Sequence, residues 1–474
     1  METLQRTANR GSVATGDYEV ANSCKFEKDN SERLQRAYGN IGTPTNADKF
    51  TLSIWIKRTE FQDSGEDIFF CGNAGAVTTM FGFQNDVLKF RTNSGDTEIK
   101  TNRLFRDTAA WYHIVVAYDS TDSTEADRVK FYVNGVEETS LGTANYPTQN
   151  ADSEMYETNM SHFVGSPDGS QTAPGYYTEL YFLDGQVKQA SDFGEFDSTS
   201  GIWIPKAYDG SFGNEGYYLD FEDGSNLGLD VSGNSNNFNA LYGISSADQA
   251  TDTCTNNFAI INRLFKYPSS QVINEGATKV ARSSGSGLNK TFISTIALTA
   301  GKWYAEFKPT ASSSNYVIGI MPINTASTVD MDANHLGNSD YAGSLGYYSP
   351  DGSMLAAGNS ANGSFGNSYT GDDIIGVALD MDNRKVYFSK NGTFQNSQDP
   401  TNGTNAITLT DTSDGYHIGF TYDTSGTVEC NFGGYHVNTL SSANTDGSGF
   451  GDFEHAPPSG YLAVNTKSLG ETGG

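Results

Sequence analysis

One phrase occurs twice in this chain. Residues 127–138 read "DRVKFYVNGVEE" and residues 384–394 read "RKVYFSKNGTF". In the first copy Val129, Phe131 and Val133 fall on one face, Lys130 and Tyr132 on the other, and Asn134-Gly135 follows. A period of two is the signature of a strand, and Asn-Gly is the pair best able to take positive φ at both centres of a type I′ turn. The phrase therefore predicts two β-hairpins. A chain of 474 residues is also too long for one compact core. The economical reading is one structural solution used in two β-domains, rather than a duplicated function.

The neighbouring segments agree. In "KFTLSIWIKR" (49–58), Phe50, Leu52, Ile54 and Ile56 share one face, with Thr51, Ser53, Trp55 and Lys57 on the other, as in a half-buried strand. "WYHIVVAYD" (111–119) is apolar on both faces and reads as a central strand. "GYYTELYFLDGQ" (175–186) is an aromatic strand closed by Asp184-Gly185. The pattern lapses in the polar stretch "GISSADQATDTCTNN" (243–257), which has the composition of a linker. It then restarts with "GKWYAEFKP" (301–309), where Trp303, Ala305 and Phe307 alternate with Tyr304, Glu306 and Lys308. In "GDDIIGVALDMDNRKVYFSKNGTF" one strand ends at Asp380 and a turn at Met381-Asp382-Asn383 leads into the second hairpin. Residues 1–20 are polar and aperiodic, an arm that would order against a partner. The last twenty or so residues are rich in Gly, Ser and Pro and either wrap back or stay loose.

Composition narrows the function classes. Tyr (26), Phe (28) and Gly (52) are abundant while charged residues are 18%, which suits short strands and tight turns. The net charge of −28 argues against nucleic acid or an anionic membrane as partner. The acidity is concentrated: residues 107–250 hold 4 Lys/Arg against 23 Asp/Glu, read here as a solubilising face. Cys24, Cys71, Cys254 and Cys430 lack metal-type spacing and read as free thiols. The first 30 residues contain no apolar signal-peptide core, and no run reaches transmembrane length, so the expectation is a soluble protein made in a cytoplasm.

Residues 22–190 resemble the laminin-G-like, concanavalin A-like sandwiches through the order "FTLSIWIKR", "WYHIVVAYD", "DRVKFYVNGV", "GYYTELYFLDGQ". Residues 270–435 resemble the SPRY family through "KWYAEFK", "LGYYSPDG", "DIIGVALDMDNRKVYFSKNG" and "YHIGFTYD". The intervening "GYYLDFEDGSNLGLDVSGNSNNFNA" (216–240) resembles a segment of structural proteins of tailed bacteriophages, marine (cyanophage-like) ones especially, where it joins these two domain types. The resemblance implies an all-β fold of two tandem antiparallel jelly-roll sandwiches with very little helix. The expected layout is an arm at 1–20, a sandwich with a loop-rich extension at 21–242, a linker at 243–269, and a SPRY-like sandwich with its tail at 270–474.

Catalytic constellations are scarce. Concanavalin A-like sandwiches include glycoside hydrolases, which need two facing carboxylates. "GEFDSTSG" supplies Glu195 and Asp197, but Ser198 and Thr199 stand where a second Glu belongs, in a stretch that reads as loop. His113, His162, His335, His417, His436 and His455 form no paired-ligand motif, and His113 and His417 sit inside strands as packed residues. For Ca²⁺, Asp220, Glu222, Asp223, Asp230, Asn234 and Asn236 offer oxygens without EF-hand order, and such residues also close loops unaided. No catalytic, metal or cofactor residue is assigned. For sugar stacking, Trp203, Tyr208, Phe212 and the tyrosines of "SLGYYSPDG" have suitable chemistry. The Asn391 and Asn402 "NGT" triplets read as turns.

The expectation is a non-enzymatic phage virion protein, a tail or head fibre presenting sandwich loops for recognition of a host-surface glycan or protein. The arm would dock it to other virion proteins, and a homo-oligomer is expected. The alternatives are a head-decoration or tail-hub component that binds only virion proteins, and a glycan-degrading enzyme.

Overall fold

The structure, a computed structural model, describes residues 18–28, 30–61, 65–73, 77–92, 96–157, 159–264, 271–282, 290–311, 315–356, 363–411, 414–423 and 426–472. Two compact units result, whose described parts are residues 18–256 and 257–472. Each holds two large, mainly antiparallel sheets and a two-stranded one. Among the described residues the only α-helical segments are Ile323–Ala326 and Thr466–Thr472.

In the first unit one sheet runs Val136–Glu137, Val129–Val133, Trp111–Asp119, Lys49–Arg58, Gly175–Asp184, Ser23–Phe26, Gln249–Ala250, with Tyr217–Leu219 also paired to Gly175–Asp184. Its partner sheet runs Leu141–Asn145, Thr97–Leu104, Val87–Thr92, Val77–Gln84, Glu66–Asn73, Ser161–Val164, Arg33–Arg36, Asn239–Leu241. Phe50, Leu52, Ile54 and Ile56 do share one face, and they pack with Phe70, Phe81 and Phe90 of the facing sheet. Phe50 stacks on Tyr118 at 4.9 Å, and Phe81 meets Phe90 at the same separation. Burying so much aromatic surface is the main stabilising term of the unit.

In the second unit, one sheet runs Gln271–Asn274, Lys279–Arg282, Gly426–Asn431, Lys302–Pro309, Ile375–Asp380, Lys385–Lys390, Thr393–Phe394. The other runs Lys290–Ile293, Tyr416–Tyr422, Tyr316–Pro322, Leu345–Tyr348, Ser353–Ala356, Gly363–Ser364. Both repeated phrases form the expected hairpins. Asn134 and Gly135 have φ of 48° and 81°, Asn391 and Gly392 have 48° and 77°.

The half-buried reading of 49–58 needs correction. Thr51, Ser53, Trp55 and Lys57 are buried as well, because chain from beyond the sandwich strands covers the sheet's outer face. Gln186 and Lys188 bond Thr51 Oγ1, the first through its carbonyl and the second through its amide. Residues 243–256, linker by composition, belong to the same cover. Asp252 accepts from Lys57 Nζ at 2.7 Å and from Trp111 Nε1 at 3.1 Å, and Cys254 is fully buried. In the second unit the C-terminal tail wraps back: Trp303 and Tyr304 register in parallel with Leu462 and Ala463, and Phe453 and Tyr461 pack on Tyr304 and Tyr387. All four cysteines are free and buried. Residues 1–17 of the arm and 265–269 of the linker lie outside the described residues.

Candidate functional site

The strongest site begins at a histidine. His113, in Trp111–Asp119, is fully buried on the outer face of the first unit. Trp203 Nε1 donates to its Nδ1 at 3.0 Å, and Ser53 Oγ lies 2.9 Å from its Nε2. An indole N–H only donates, so Nδ1 carries the lone pair and Nε2–H donates to Ser53. Burial holds the ring's pKa down at about 3, so it is neutral. Trp55 stacks on the ring at 4.9 Å, and Trp203 lies nearly coplanar with it, edge to edge, with ring centres 5.9 Å apart as the N–H···N bond requires. His113, a packed strand residue, thus joins two tryptophans, one by stacking and one by a hydrogen bond.

Two hairpins hold this cluster. Gly194–Phe196 pairs with Trp203–Pro205, placing Phe196 opposite Trp203, with the rings edge to face at 4.9 Å. Asp197 closes this hairpin by accepting from the Ser200 amide and hydroxyl at 2.6 Å each. The other hairpin is the first repeated phrase. Asn134 Oδ1 accepts from His113 N, and the indole of Trp203 lies against Gly135 so closely that a Cβ there would sit 2.2 Å from Cε3. Between them lies a groove of about 430 Å³ lined by Trp55, Arg103, Trp111, Asn134, Val136 and Phe196, together with Trp203 and its neighbours. Phe196 is 54% exposed and Val136 61%. A free aromatic ring over a rigid aromatic floor, with amide and guanidinium donors at the edge, is the arrangement that takes a small polar ring such as a sugar.

Of the aromatic residues read from sequence as sugar-stacking candidates, Trp203 alone reaches this groove. Tyr208 and Phe212 pack with Phe193 and Tyr181. Tyr347 is buried in the second unit. Glu195 is exposed in the strand Gly194–Phe196, where the sequence suggested loop, while Asp197 is bound into its turn. The acidic loop set closes its own loop. Asp230 accepts from the amides of Tyr218, Ser232 and Asn236, Asp220 from that of Glu222, and Asp223 from that of Ser225. Asn234 and Asn236 donate to the Gly216 carbonyl. Among the described residues no group of three or more His, Cys, Asp or Glu is placed to hold a metal ion.

Two buried carboxylates carry less obvious chemistry. Glu179 sits at an irregularity in Gly175–Asp184 with φ of 51°, and accepts from Tyr18, Tyr181 and Tyr218 hydroxyls at 2.6–2.7 Å. Its pKa is raised by burial. In the second unit Glu306 accepts from the amides of Glu454 and His455 at 2.9 Å each and from Tyr304, with burial raising it to about 7. His417 donates from Nδ1 to the Ser294 carbonyl and is lowered by burial to about 4.

Residues 35–191 match the family model of the concanavalin A-like lectin/glucanases superfamily, and residues 302–425 match that of the SPRY domain. The chain thus carries a concanavalin A-like domain followed by a SPRY domain. The SPRY domain of human HERC1 is 17% identical with a TM-score of 0.26, over 36% of this chain and 95% of its own. Another human SPRY domain is 15% identical with a TM-score of 0.25, over 36% and 97%. A Bacteroides ovatus protein provisionally described as carbohydrate binding is 13% identical with a TM-score of 0.31, over 47% of this chain and 58% of its own. No curated protein matches the chain.

Proposed function

We propose that this protein is a non-enzymatic virion component of a tailed bacteriophage that binds a host-surface glycan in the groove of its first sandwich. The observation that carries the glycan reading is the exposed Phe196 ring held edge to face on Trp203, above the Trp55 and His113 stack. Rigid aromatic surface loses little entropy on binding, which suits weak, repeated contacts with surface sugars. The concanavalin A-like match supports a binding role, and the phage reading is supported by the resemblance of residues 216–240. In that reading the arm docks the protein onto the particle as a homo-oligomer.

The test is titration of the full chain with oligosaccharides released from host envelopes, alongside Phe196→Ala. Binding that disappears in the variant, with unfolding unchanged, is the expected result. Retained affinity would remove the groove from the mechanism. A density map of the particle separates an appendage from a decoration protein: both sandwiches buried among other virion proteins would overturn host recognition. For the arm, the informative truncation begins at Tyr18, because Tyr18 bonds Glu179 and Val20 N bonds Thr255 Oγ1. That chain should fold and fail to incorporate.

A further inference from the structure

We infer that the groove takes an acidic sugar whose carboxylate is held by Arg103, an inference that rests on the glycan reading above. Arg103 lies near the end of Thr97–Leu104 and is exposed at the groove, with its guanidinium 5.1 Å from the Phe105 ring centre. It forms no ion pair with any described residue. Its neighbours differ. Arg106 is paired with Asp86, Arg58 with Asp67 and Asp86, and Lys100 with Glu98. In a chain holding 29 Lys/Arg against 57 Asp/Glu, a guanidinium left without a carboxylate needs an explanation.

The rest of the lining points the same way. No Asp or Glu lines the groove; Glu137 and Glu195 neighbour Val136 and Phe196 in sequence but are not among its walls. Asn134 uses Oδ1 on His113 N, leaving its Nδ2 without a partner among the described residues. The polar side-chain groups left free are therefore mainly donors, two from an amide and five from a guanidinium, against one remaining lone pair on Asn134 Oδ1. A donor-rich edge beside an aromatic face complements a ring that carries a carboxylate. A planar guanidinium fork steadied on Phe105 is the group that binds a carboxylate through two parallel hydrogen bonds.

The experiment uses the full chain and three acidic probes: oligogalacturonate, oligoglucuronate and sialyllactose. Each is titrated beside its carboxyl-reduced neutral counterpart. At least one acidic member should bind tighter than its reduced partner by roughly tenfold or more, with the preference lost in Arg103→Gln. The same variant should keep the affinity for the neutral partner, and Phe196→Ala should lose both. Equal affinity within all three pairs overturns the acidic-sugar inference and leaves the glycan reading standing. Binding unaffected by Phe196→Ala, or none to any sugar, overturns both. A sulfated neutral oligosaccharide bound as tightly as the acidic probe would show that charge alone is read, against the carboxylate assignment.

Discussion

In the first sandwich the outer face of one sheet is closed over His113, which stacks on Trp55 and accepts from the Trp203 indole. In the second, the corresponding cover lies over Tyr304 and Glu306, whose carboxylate accepts the amides of Glu454 and His455. Both units use chain from beyond their sandwich strands to cover a sheet. One cover leaves an aromatic groove open to solvent; the other ties its tail down through a carboxylate that burial holds near neutrality. A shared fold thus says little about which chemistry its cover presents.

The largest expected effect of this difference is on acid stability. His113 and His162 are lowered to about 3 in the folded chain, against an ordinary 6.5. A base with a depressed folded pKa contributes stability above its unfolded pKa, and that stability is lost as pH falls from about 6.5 toward 3. Each histidine is worth roughly 4–5 kcal/mol over that window. Glu179 and Glu32, raised by burial, act in the opposite sense, so the slope rather than the full sum is the observable. In the second unit His417, at about 4, loses stability on acidification. Glu306, at about 7, regains it over nearly the same range, since a raised carboxylate is destabilising above its folded pKa. His436 and His455 of the second unit are lowered by burial as well, so both units should lose stability on acidification, the first more steeply because Glu306 offsets part of the loss in the second. Hydrogen exchange followed by mass spectrometry resolves the two, and parallel slopes would break the comparison.

Next in size is Asp252→Ala. It removes the carboxylate paired with Lys57, which is 0% exposed and whose pKa burial already lowers, and takes an acceptor from Trp111. Removing one partner of a buried ion pair costs about 3–5 kcal/mol, and the loss should appear in the first unit alone in urea unfolding. Glu306→Gln is smaller, about 1–3 kcal/mol, because an amide retains only one acceptor oxygen for the two backbone donors. Its sharper signature is that the second unit becomes more acid-sensitive, approaching the first. The smallest effect compares the twin turns. Gly135→Ala meets the Trp203 ring at 2.2 Å, whereas Gly392→Ala meets only the His455 ring edge at 3.0 Å, both at positive φ. The first should cost about 1–3 kcal/mol more and disturb indole fluorescence; equal costs would mean that Trp203 is not seated on the turn.

Much of the fold was legible from residue order. The period-two faces of 49–58 and 129–133, and Asn-Gly at positive φ in both hairpins, are local properties that the chain carries anywhere. The site was less so. Trp203 carried a visible signal, a tryptophan among Gly, Ser and Asp. Phe196 stood beside Glu195 and Asp197 in a stretch read as loop, and Trp55 and Trp111 looked like ordinary strand residues. Arg103 had no pattern at all. A groove assembled from five segments has no period.

Residue order alone therefore specifies the strands, their turns and the number of sandwiches, because each rests on contacts between near neighbours and on backbone sterics. What covers each outer face is set by long-range packing. Thr51 and Lys57 look solvent-facing until Gln186 and Asp252 arrive from more than a hundred residues away, and His113, Ser53's partner, until Trp203 is in place. Polar side chains facing outward are compatible with water or with a hydrogen-bonded cover, and local patterning cannot choose between them. The first repeated phrase shows the same division. Its Asn-Gly is a turn in any context, but it becomes the wall of a groove only because Gly135 leaves room for a distant indole.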